Sequence, residues 1–484
     1  FIMLSSILHA HVHELFPGME VHGCYQFRVT RNSDLFVDDE EIDDLVRALE
    51  GELLSRRFGE AVRVEVADNC PDEMISFLQA EFGLDEADVY QCNGPVNLTR
   101  LSAVCDLVER PDLKFLGFRP GRPRRLPPNQ DMFETIRRGD LLLHHPFESF
   151  APVIEFLRQA ADDPAVISIR QTLYRTGIGS AVVEALIGAA RAGKEVTVVV
   201  EVKARFDEEE NIDLANRLQE AGAHVVYGVV GHKTHAKMIL VVRREGKLLK
   251  RYVHLGTGNY HPKTSRLYTD YGLFTCDTSI GMDVQKLFHQ ITAPGRAGKL
   301  KKLYQSPFTL HLSVLEMIRH EADIARAGGT GRIMAKMNAL VEVQVIKALY
   351  EASAAGVQID LIVRGVCALR PGVPGVSENI RVRSVIGRFL EHTRVFLFHA
   401  GGEEALYLSS ADWMGRNFFN RIETAFPIED KRLKARVKRE IFGNYLADNA
   451  RAWELSADGE YVRANASGER RDAQAWLMQE LGDG

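Results

Sequence analysis

Two short stretches of the sequence each place a histidine two positions ahead of a cation, at the start of an apolar run. In "GHKTHAKMIL" these residues are His235 and Lys237, and in "FLEHTRVFLF" they are His392 and Arg394. Side chains alternate between the two faces of a strand, so each pair is expected to point to one side. Lys233 precedes the first pair on the same alternate positions, and we expect it to be exposed to solvent.

Two imidazoles surrounded by cations are suited to phosphoryl transfer. An unprotonated imidazole nitrogen can attack phosphorus and form a phosphohistidine, and a second imidazole can act as general acid or base because its pKa lies near neutrality. Lys and Arg neutralise the transferring oxygens and disfavour an imidazolium beside them. A single such pair is more often the solvated edge of a strand. Two pairs in matching surroundings favour one site, to which each half of a duplicated fold contributes a histidine.

A polar loop follows each pair. The first loop, "HLGTGNYH", contains Asn259, and the second, "LSSADWMGRN", contains Ser410 and Asp412. For any one cation near these loops, a surface ion pair is the commoner role. The other side chains that could contact an anion stand near predicted strand ends: Arg175, Lys203, Arg205, Arg266, Tyr268, Arg364, Arg416 and Arg421.

The elements that carry these residues repeat along the chain. "EALIGAARAGKEVTVVVE" and "KALYEASAAGVQIDLIVR" share a helical spacing of apolar residues, a closing glycine (Gly193 and Gly356) and a run typical of a buried parallel strand. The repetition predicts an α/β fold with two duplicated catalytic domains, preceded by an α+β domain. The predicted limits are 1–117 for a partial α+β head domain, 118–129 for a linker, and 130–302 and 303–484 for the catalytic domains.

The composition is that of a globular protein. The chain has 484 residues, 45% of them hydrophobic, and a formal net charge of -6. General nucleic-acid-binding proteins are usually basic, so we predict no nucleic-acid partner, while a local basic pocket for a polyanion is compatible with this charge. No apolar run approaches the roughly 18 residues of a membrane span, so we predict no integral membrane segment. The six cysteines form no CxxC pair, which is typical of free thiols in a reducing cytoplasm.

The two-half arrangement resembles the phospholipase D superfamily, whose motif is H-x-K-x4-D. This sequence departs from that motif, because Val242 and His399 stand where aspartates are expected. The chain is more closely similar to the type-1 polyphosphate kinases, over about 115–450 and more loosely before that. The motifs that resemble this family, in its order, are "HHPFESF", "YRTG", "VEVKARFDEEENI", "HAKMILV", "HLGTGNYHPKTSRLYTDYG", "LIVRG", "FLEHTRV" and "YLSSADWMGRNFFNRIE".

The resemblance implies roles for the candidate residues. His235 is expected to be the autophosphorylated nucleophile, and His392 a second catalytic histidine that contacts nucleotide phosphate. Lys237 and Arg394 are expected beside them as catalytic cations. For His254, a structural role in its loop is the alternative. The further contacts to nucleotide or phosphate are expected at Tyr268, Arg364, His254, Asn259 and Arg421.

Two arginines match positions that the family assigns to a magnesium site, namely Arg175 and Arg205. A guanidinium is cationic and cannot ligate Mg²⁺. We therefore expect both side chains to contact the phosphates or waters around the ion.

The implied activity is reversible transfer of the ATP γ-phosphoryl group to inorganic polyphosphate, with Mg²⁺ as cofactor. The resemblance also implies a homo-oligomer in the cytoplasm, and leaves a peripheral association with membranes open. It implies a helical domain ahead of this sequence that supplies an Asn to the nucleotide site, so we expect an N-terminally truncated chain of uncertain activity. The alternatives are a phospholipase-D-like phosphodiesterase or nuclease, and an inactive polyanion-binding scaffold.

Overall fold

The structure is a computed structural model that divides into two compact units, Phe1–Leu116 and Gly117–Gly484. The first unit ends one residue before the predicted end of the head domain at residue 117, and all the predicted domain limits stay predictions. The residues that the structure describes are 1–32, 59–174, 179–201, 208–229, 231–293, 298–464 and 468–483.

The described residues of the first unit form a three-stranded sheet. β2 (Ala61–Ala67) lies in the middle of the sheet, antiparallel to β1 (Phe27–Arg31) and parallel to β3 (Val89–Cys92). Alternate residues of β2 are buried because one face of the strand packs on a small apolar core. The stretch "DDEEIDDLVRALEGELLSRRF", whose acidic first turn and apolar spacing predict a helix, lies outside the described residues. The described α-helices of this unit are Leu4–Ala10, Val12–Leu15, Asp72–Phe82 and Ser102–Leu107.

The second unit contains two large sheets that are built in the same way. The strands that begin in its first half are β4 (Leu141–His145), β5 (Val166–Leu173), β6 (Glu195–Val200), β7 (His224–Val226), β8 (Lys233–Thr234), β9 (Lys237–Glu245), β10 (Leu248–Gly256) and β11 (Tyr268–Thr275). Those of its second half are β12 (Tyr304–Ser306), β13 (Arg332–Met337), β14 (Gln358–Val363), β15 (Ile380–Val385), β16 (Leu390–Glu391), β17 (Arg394–Phe398), β18 (Ala405–Ser409), β19 (Arg421–Pro427), β20 (Ala452–Leu455) and β21 (Tyr461–Arg463).

Helices cover these sheets. The described α-helices are Met132–Arg137, Ala151–Asp162, Ala181–Arg191, Glu208–Glu220, Thr278–Thr292, Leu310–Arg326, Val343–Ala354, Gly415–Phe419, Lys431–Val437 and Ala473–Leu481, and Lys438–Gly443 is a π-helix. Within the described ranges, no helix combines the length and the apolar character that crossing a membrane requires.

The duplication is visible in the order of the strands. One sheet runs β11-β10-β9-β5-β6-β7 and the other runs β19-β18-β17-β13-β14-β15. In each sheet the last three strands are parallel and the others antiparallel. The two glycines that the repeat aligned, Gly193 (φ 79°) and Gly356 (φ 98°), both adopt left-handed backbone after their helices. The predicted fold class, a duplicated α/β pair, is confirmed.

Each half also contributes a short strand to the sheet of the other half. β8 pairs in parallel with β19, and β16 pairs in parallel with β11. The prediction that Lys233, His235 and Lys237 share one continuous strand is therefore wrong. The chain leaves the second sheet after Thr234 and enters the first sheet at Lys237, so the amides of His235 and Ala236 both donate to Ile422 O, at 2.9 and 2.8 Å. Lys233 is half-buried rather than exposed, because it lies in register with Arg421.

The exchange is supported by a shared core. One cluster of buried apolar residues contains side chains from both sheets, among them Met238, Leu255, Val395 and Phe426. Burial of apolar area is the main favourable contribution to such packing. The halves are thus joined by a continuous interior as well as by the exchanged strands.

The core of the second half offers a test of this packing. Leu315 and Leu312 lie on one helix, but Leu315 is 2% exposed and Leu312 is 59% exposed. Leu315→Ala is expected to lower the free energy of unfolding by about 2–5 kcal/mol, because it leaves a cavity. Leu312→Ala is the matched control and should change that free energy by about 0.5 kcal/mol or less. Urea unfolding followed by circular dichroism measures both, and equal effects would contradict the observed helix face.

Candidate active site

His235 lies where the chain passes from β8 to β9, and its ring is held by the opposite half. Nδ1 lies 2.8 Å from Glu423 Oε1 and 2.9 Å from Oε2. Glu423 is buried on β19, where Ser410 Oγ and Asn417 Nδ2 donate to it at 2.5 and 2.6 Å. An ionised carboxylate only accepts hydrogen bonds, so the proton of the neutral imidazole lies on Nδ1. Nε2 therefore carries the lone pair.

His392 occupies the corresponding position between β16 and β17. Its Nδ1 lies 2.9 Å from both oxygens of Asp270, a buried residue of β11 in the first half. Thr257 Oγ1 donates to Asp270 Oδ1 at 2.6 Å, as Ser410 does to Glu423. A Cβ on Gly258 would overlap the Asp270 carboxylate, so this loop requires glycine at that position. The same reasoning places the lone pair of the His392 ring on Nε2.

The two histidines are thus oriented reciprocally. Each imidazole comes from one half, and the carboxylate and hydroxyl that orient it come from the other. A carboxylate that accepts from the distal ring nitrogen sets both the tautomer and the angle of the ring, and it raises the basicity of the opposite nitrogen. The arrangement prepares two Nε2 atoms for chemistry.

Two buried cations accompany the imidazoles. Lys237 is 2% exposed, and its Nζ donates to the His235 carbonyl oxygen and lies 5.6 Å from the centre of the Tyr174 ring. Arg394 is 3% exposed, and its Nη2 donates to Asp412 Oδ2 at 2.7 Å. Nη1 of the same guanidinium lies 3.0 Å from His392 Nε2. Each histidine therefore has the cation that the sequence places two residues later.

Burial keeps both imidazoles neutral. It is the main reason that the pKa of His235 is lowered to about 3, with Lys237 adding to this effect and Glu423 opposing it. Burial also lowers the pKa of His392, with Arg394 adding to the effect and Asp270 opposing it. Both rings are therefore unprotonated near neutral pH, the form in which nitrogen is nucleophilic.

The carboxylates remain ionised for the opposite reason. Burial acts to raise the pKa of Glu423, but the His235 and Lys237 side chains lower it to about 2 overall. Burial likewise opposes ionisation of Asp270, and His392 and Arg394 lower its pKa overall. Buried negative charge is thus retained because cations and donors surround it.

The two clusters lie close enough to interact electrostatically. Burial is the main cause that lowers the pKa of Lys237 well below its usual value, and the next contributions come from Glu423, Arg394, Arg421 and Asp270. Glu423 and Arg421 belong to the surroundings of His235. Arg394 and Asp270 belong to those of His392. The pKa of Lys237 therefore depends on the charges around both histidines.

Some predicted contact residues are adjacent to these two clusters. The ring of Tyr268 is centred 5.3 Å from that of His392. Arg364 Nε donates to Asn338 Oδ1 at 2.7 Å, and the amide of Asn338 donates to Asp412 Oδ1, also at 2.7 Å. Arg364 is thus linked through Asn338 and Asp412 to Arg394. Arg421 contributes to the field at His235.

Other predicted residues lie in a separate environment or outside the described part. His254 is buried on β10, bonded through Nδ1 to Tyr260 Oη at 2.9 Å, and lines a small cavity with Asn259 and Asp270. Burial lowers the pKa of His254 to about 3. Its predicted contact with phosphate stays a prediction. Arg175 and Arg205 lie outside the described residues.

The sequence reasoning missed the two orienting carboxylates, Glu423 and Asp270. A signal was present, since "YTDYG" and "NRIETAF" each place a single acid in a strand-like run after the polar loop of its half. A single acid in a buried strand requires a partner. The missing step was the exchange of strands, which alone shows that the partner is the histidine of the other half.

The residues present do not form a metal cage. Among the described residues, no three His, Cys, Asp or Glu side chains form a group that could hold a metal ion. The acids nearest the histidines, Asp270 and Glu423, already accept hydrogen bonds from imidazoles and hydroxyls. The described residues therefore do not fit a magnesium ion that is held by protein ligands alone.

Comparison with known proteins covers nearly the whole chain. The family described as "Polyphosphate kinase middle domain" matches residues 1–104, "Polyphosphate kinase C-terminal domain 1" matches 131–297, and "Polyphosphate kinase C-terminal domain 2" matches 303–475. A polyphosphate kinase of Pseudomonas aeruginosa is 56% identical over 483 residues, which are 99% of this chain and 70% of that protein. One of Neisseria meningitidis serogroup C is 60% identical over 464 residues, 96% of this chain and 68% of that protein.

A solved structure agrees with these relatives. The crystal structure of polyphosphate kinase from Porphyromonas gingivalis superposes with a TM-score of 0.84 at 33% identity, and covers 99% of this chain and 70% of that chain. The fold, the paired histidines and the identity over almost the full chain lead to one conclusion: the chain belongs to the polyphosphate kinase family.

Proposed function

We propose that this protein is an ATP–polyphosphate phosphotransferase that works through a phosphohistidine on His235. The observation that carries the proposal is the reciprocal hydrogen bonding of two buried, neutral imidazoles, which leaves the lone pair of each ring on Nε2 with a buried cation two residues away. The curated relatives are named polyphosphate kinase, which disfavours the phosphodiesterase and scaffold alternatives.

The first half of the proposed reaction takes place at His235. Its Nε2 lone pair attacks the γ-phosphorus of ATP, an N–P bond forms, and the bond from phosphorus to the bridging oxygen breaks. The electron pair of that bond leaves with ADP. Glu423 holds the attacking ring and stabilises the positive charge that develops on it, because Nδ1 already donates to the carboxylate.

The second half of the reaction reverses these bonds. A terminal oxygen of polyphosphate attacks the phosphoryl group, the N–P bond breaks, and its electron pair returns to Nε2. Lys237 and Arg394 offset the charge on the phosphoryl oxygens, and we assign His392 to the nucleotide phosphates or to proton transfer. Both half-reactions pass through the same N–P bond on His235. The same residues can therefore serve transfer in either direction.

Other predictions of the sequence stay proposals. Mg²⁺ would be bound by the phosphates of the substrate, since the described acids around the histidines are occupied. Tyr268, Arg364 and Arg421 would contact nucleotide or phosphate. A homo-oligomeric state and a cytoplasmic location are further proposals.

The covalent step is tested with γ-labelled ATP on the full-length protein. Label that is labile to acid and stable to alkali should appear on the wild type and be absent from His235→Ala, because only an N-linked phosphate has that stability. His224→Ala changes an exposed histidine and is the control, expected to label normally. Undiminished labelling of His235→Ala would exclude His235 as the nucleophile. Diester cleavage without ATP would instead support the phosphodiesterase alternative.

The orienting carboxylate is tested by Glu423→Gln. The amide keeps the shape of the side chain and removes its charge, so the rate of labelling is expected to fall about 10- to 100-fold. Glu429→Gln changes a glutamate that is 56% exposed, two residues after the end of the same strand, and should label at the wild-type rate. A wild-type rate in Glu423→Gln would show that the carboxylate has no role in the step.

Stability is expected to fall as the pH decreases from 6.5 to 5. The pKa values of the buried His145, His235 and His254 are lowered to about 4, 3 and 3, mainly by burial, from an ordinary 6.5. In this window the unfolded chain binds protons that the folded chain does not, so each histidine reduces the unfolding free energy by up to about 1.4 kcal/mol per pH unit. Urea unfolding at several pH values measures the slope. His254→Asn should reduce this slope by up to about 1.4 kcal/mol per pH unit, the contribution of one proton. An unchanged slope would contradict the conclusion that His254 is neutral in the folded protein.

A further inference from the structure

The residue that precedes His392 is a buried acid with four partners. Glu391 is 3% exposed on β16. Lys336 Nζ lies 2.8 Å from its Oε2, and Thr269 Oγ1 donates to the same oxygen at 3.1 Å. Tyr445 Oη and Gln474 Nε2 donate to Oε1, at 2.9 and 2.6 Å. Burial, with the charge of Glu391, raises the pKa of Tyr445 well above its usual range, so the phenol keeps its proton.

Gln474 also holds the backbone of the same strand. It lies in the second position of the C-terminal helix, Ala473–Leu481, and is 2% exposed. Its Oε1 accepts from the Phe389 amide at 2.9 Å, and its Nε2 donates to Phe389 O at 2.8 Å. One side chain thus contacts both the main chain before Glu391 and the carboxylate of Glu391.

β16 itself is short. It consists of two residues and pairs with β11 only through Leu390 and Glu391. His392 follows immediately, and its amide donates to Thr269 Oγ1 at 3.0 Å. In the first half, the residue before the histidine is Thr234, whose amide donates to Glu201 at 2.6 Å. The C-terminal helix therefore contacts the strand before His392, whereas the residue before His235 is bonded to Glu201 instead.

We propose that Gln474 and Glu391 are positioning residues for His392, and that the C-terminal helix sets the place of this imidazole relative to Asp270. Gln474 touches neither imidazole, so it acts through Phe389 and Glu391. Displacement of a catalytic group by about 1 Å can cost about 100-fold in rate. The hydrogen bonds of Gln474 to β16 can therefore affect the rate of the step that uses His392. The kinetic part of this proposal rests on the proposed phosphotransfer function.

The test compares two leucine substitutions on one helix of the full-length protein. Gln474→Leu removes both amide contacts, whereas Gln479→Leu changes an exposed residue of that helix and is the matched control. The rate of labelling by γ-labelled ATP is expected to fall about tenfold or more in Gln474→Leu and to remain unchanged in Gln479→Leu. Gln474→Asn keeps the amide on a side chain that is shorter by one methylene, so its rate of labelling should fall less. It replaces Gln474→Leu in the test if the leucine variant does not fold.

A double-mutant cycle separates positioning from a general loss of structure. If Gln474 acts through His392, Gln474→Leu should cause no further loss in a His392→Ala background. Equal losses in both backgrounds would overturn the proposal, as would a wild-type rate in a folded Gln474→Asn or Gln474→Leu variant.

A crystal structure of the folded variant gives a second readout that does not depend on activity. The distance from His392 Nδ1 to Asp270, now 2.9 Å, should lengthen, while the distance from His235 Nδ1 to Glu423 stays near 2.8 Å. An unmoved His392 would overturn the proposal even if the rate had fallen. If the wild type takes no label from ATP, the proposed function fails, and this structural comparison still decides whether Gln474 positions His392.

Discussion

The interaction on which the site depends is the hydrogen bond from each imidazole to a carboxylate of the opposite half. It joins His235 to Glu423 and His392 to Asp270. Neither half alone contains both members of either of these two pairs, so the site requires both sheets in their observed register. The exchanged strands β8 and β16 establish that register, because each runs beside the strand that bears the carboxylate.

Burial gives this bond its chemical consequence. A buried charge is costly unless it is paired, and the described site holds ionised acids beside cations while its imidazoles stay neutral. The same low polarity that depresses the histidine pKa values would strengthen the field of Lys237 and Arg394 on a phosphoryl group in the proposed reaction. Preorganised charge of this kind is the main source of catalytic stabilisation in phosphoryl transfer.

The two halves are related in topology and differ in detail. His235 is accompanied by Lys237 and glutamate, whereas His392 is accompanied by Arg394 and aspartate. An arginine with a fixed planar fork suits a bound phosphate, and a lysine amine suits a point contact. The second histidine is additionally tied to the C-terminal helix through Glu391. These differences are consistent with one histidine as nucleophile and the other as a partner in the reaction.

The sequence by itself determined the duplication and the paired histidines, because helical spacing, closing glycines and β-branched runs are local patterns. It also determined which cation stands beside each imidazole, since Lys237 and Arg394 are two residues away. Only the tertiary structure decided that the chain changes sheets at His235 and His392, and that Glu423, Asp270 and Gln474 are their partners. These contacts join residues far apart in the chain, and their register depends on how two sheets pack, which no local periodicity encodes.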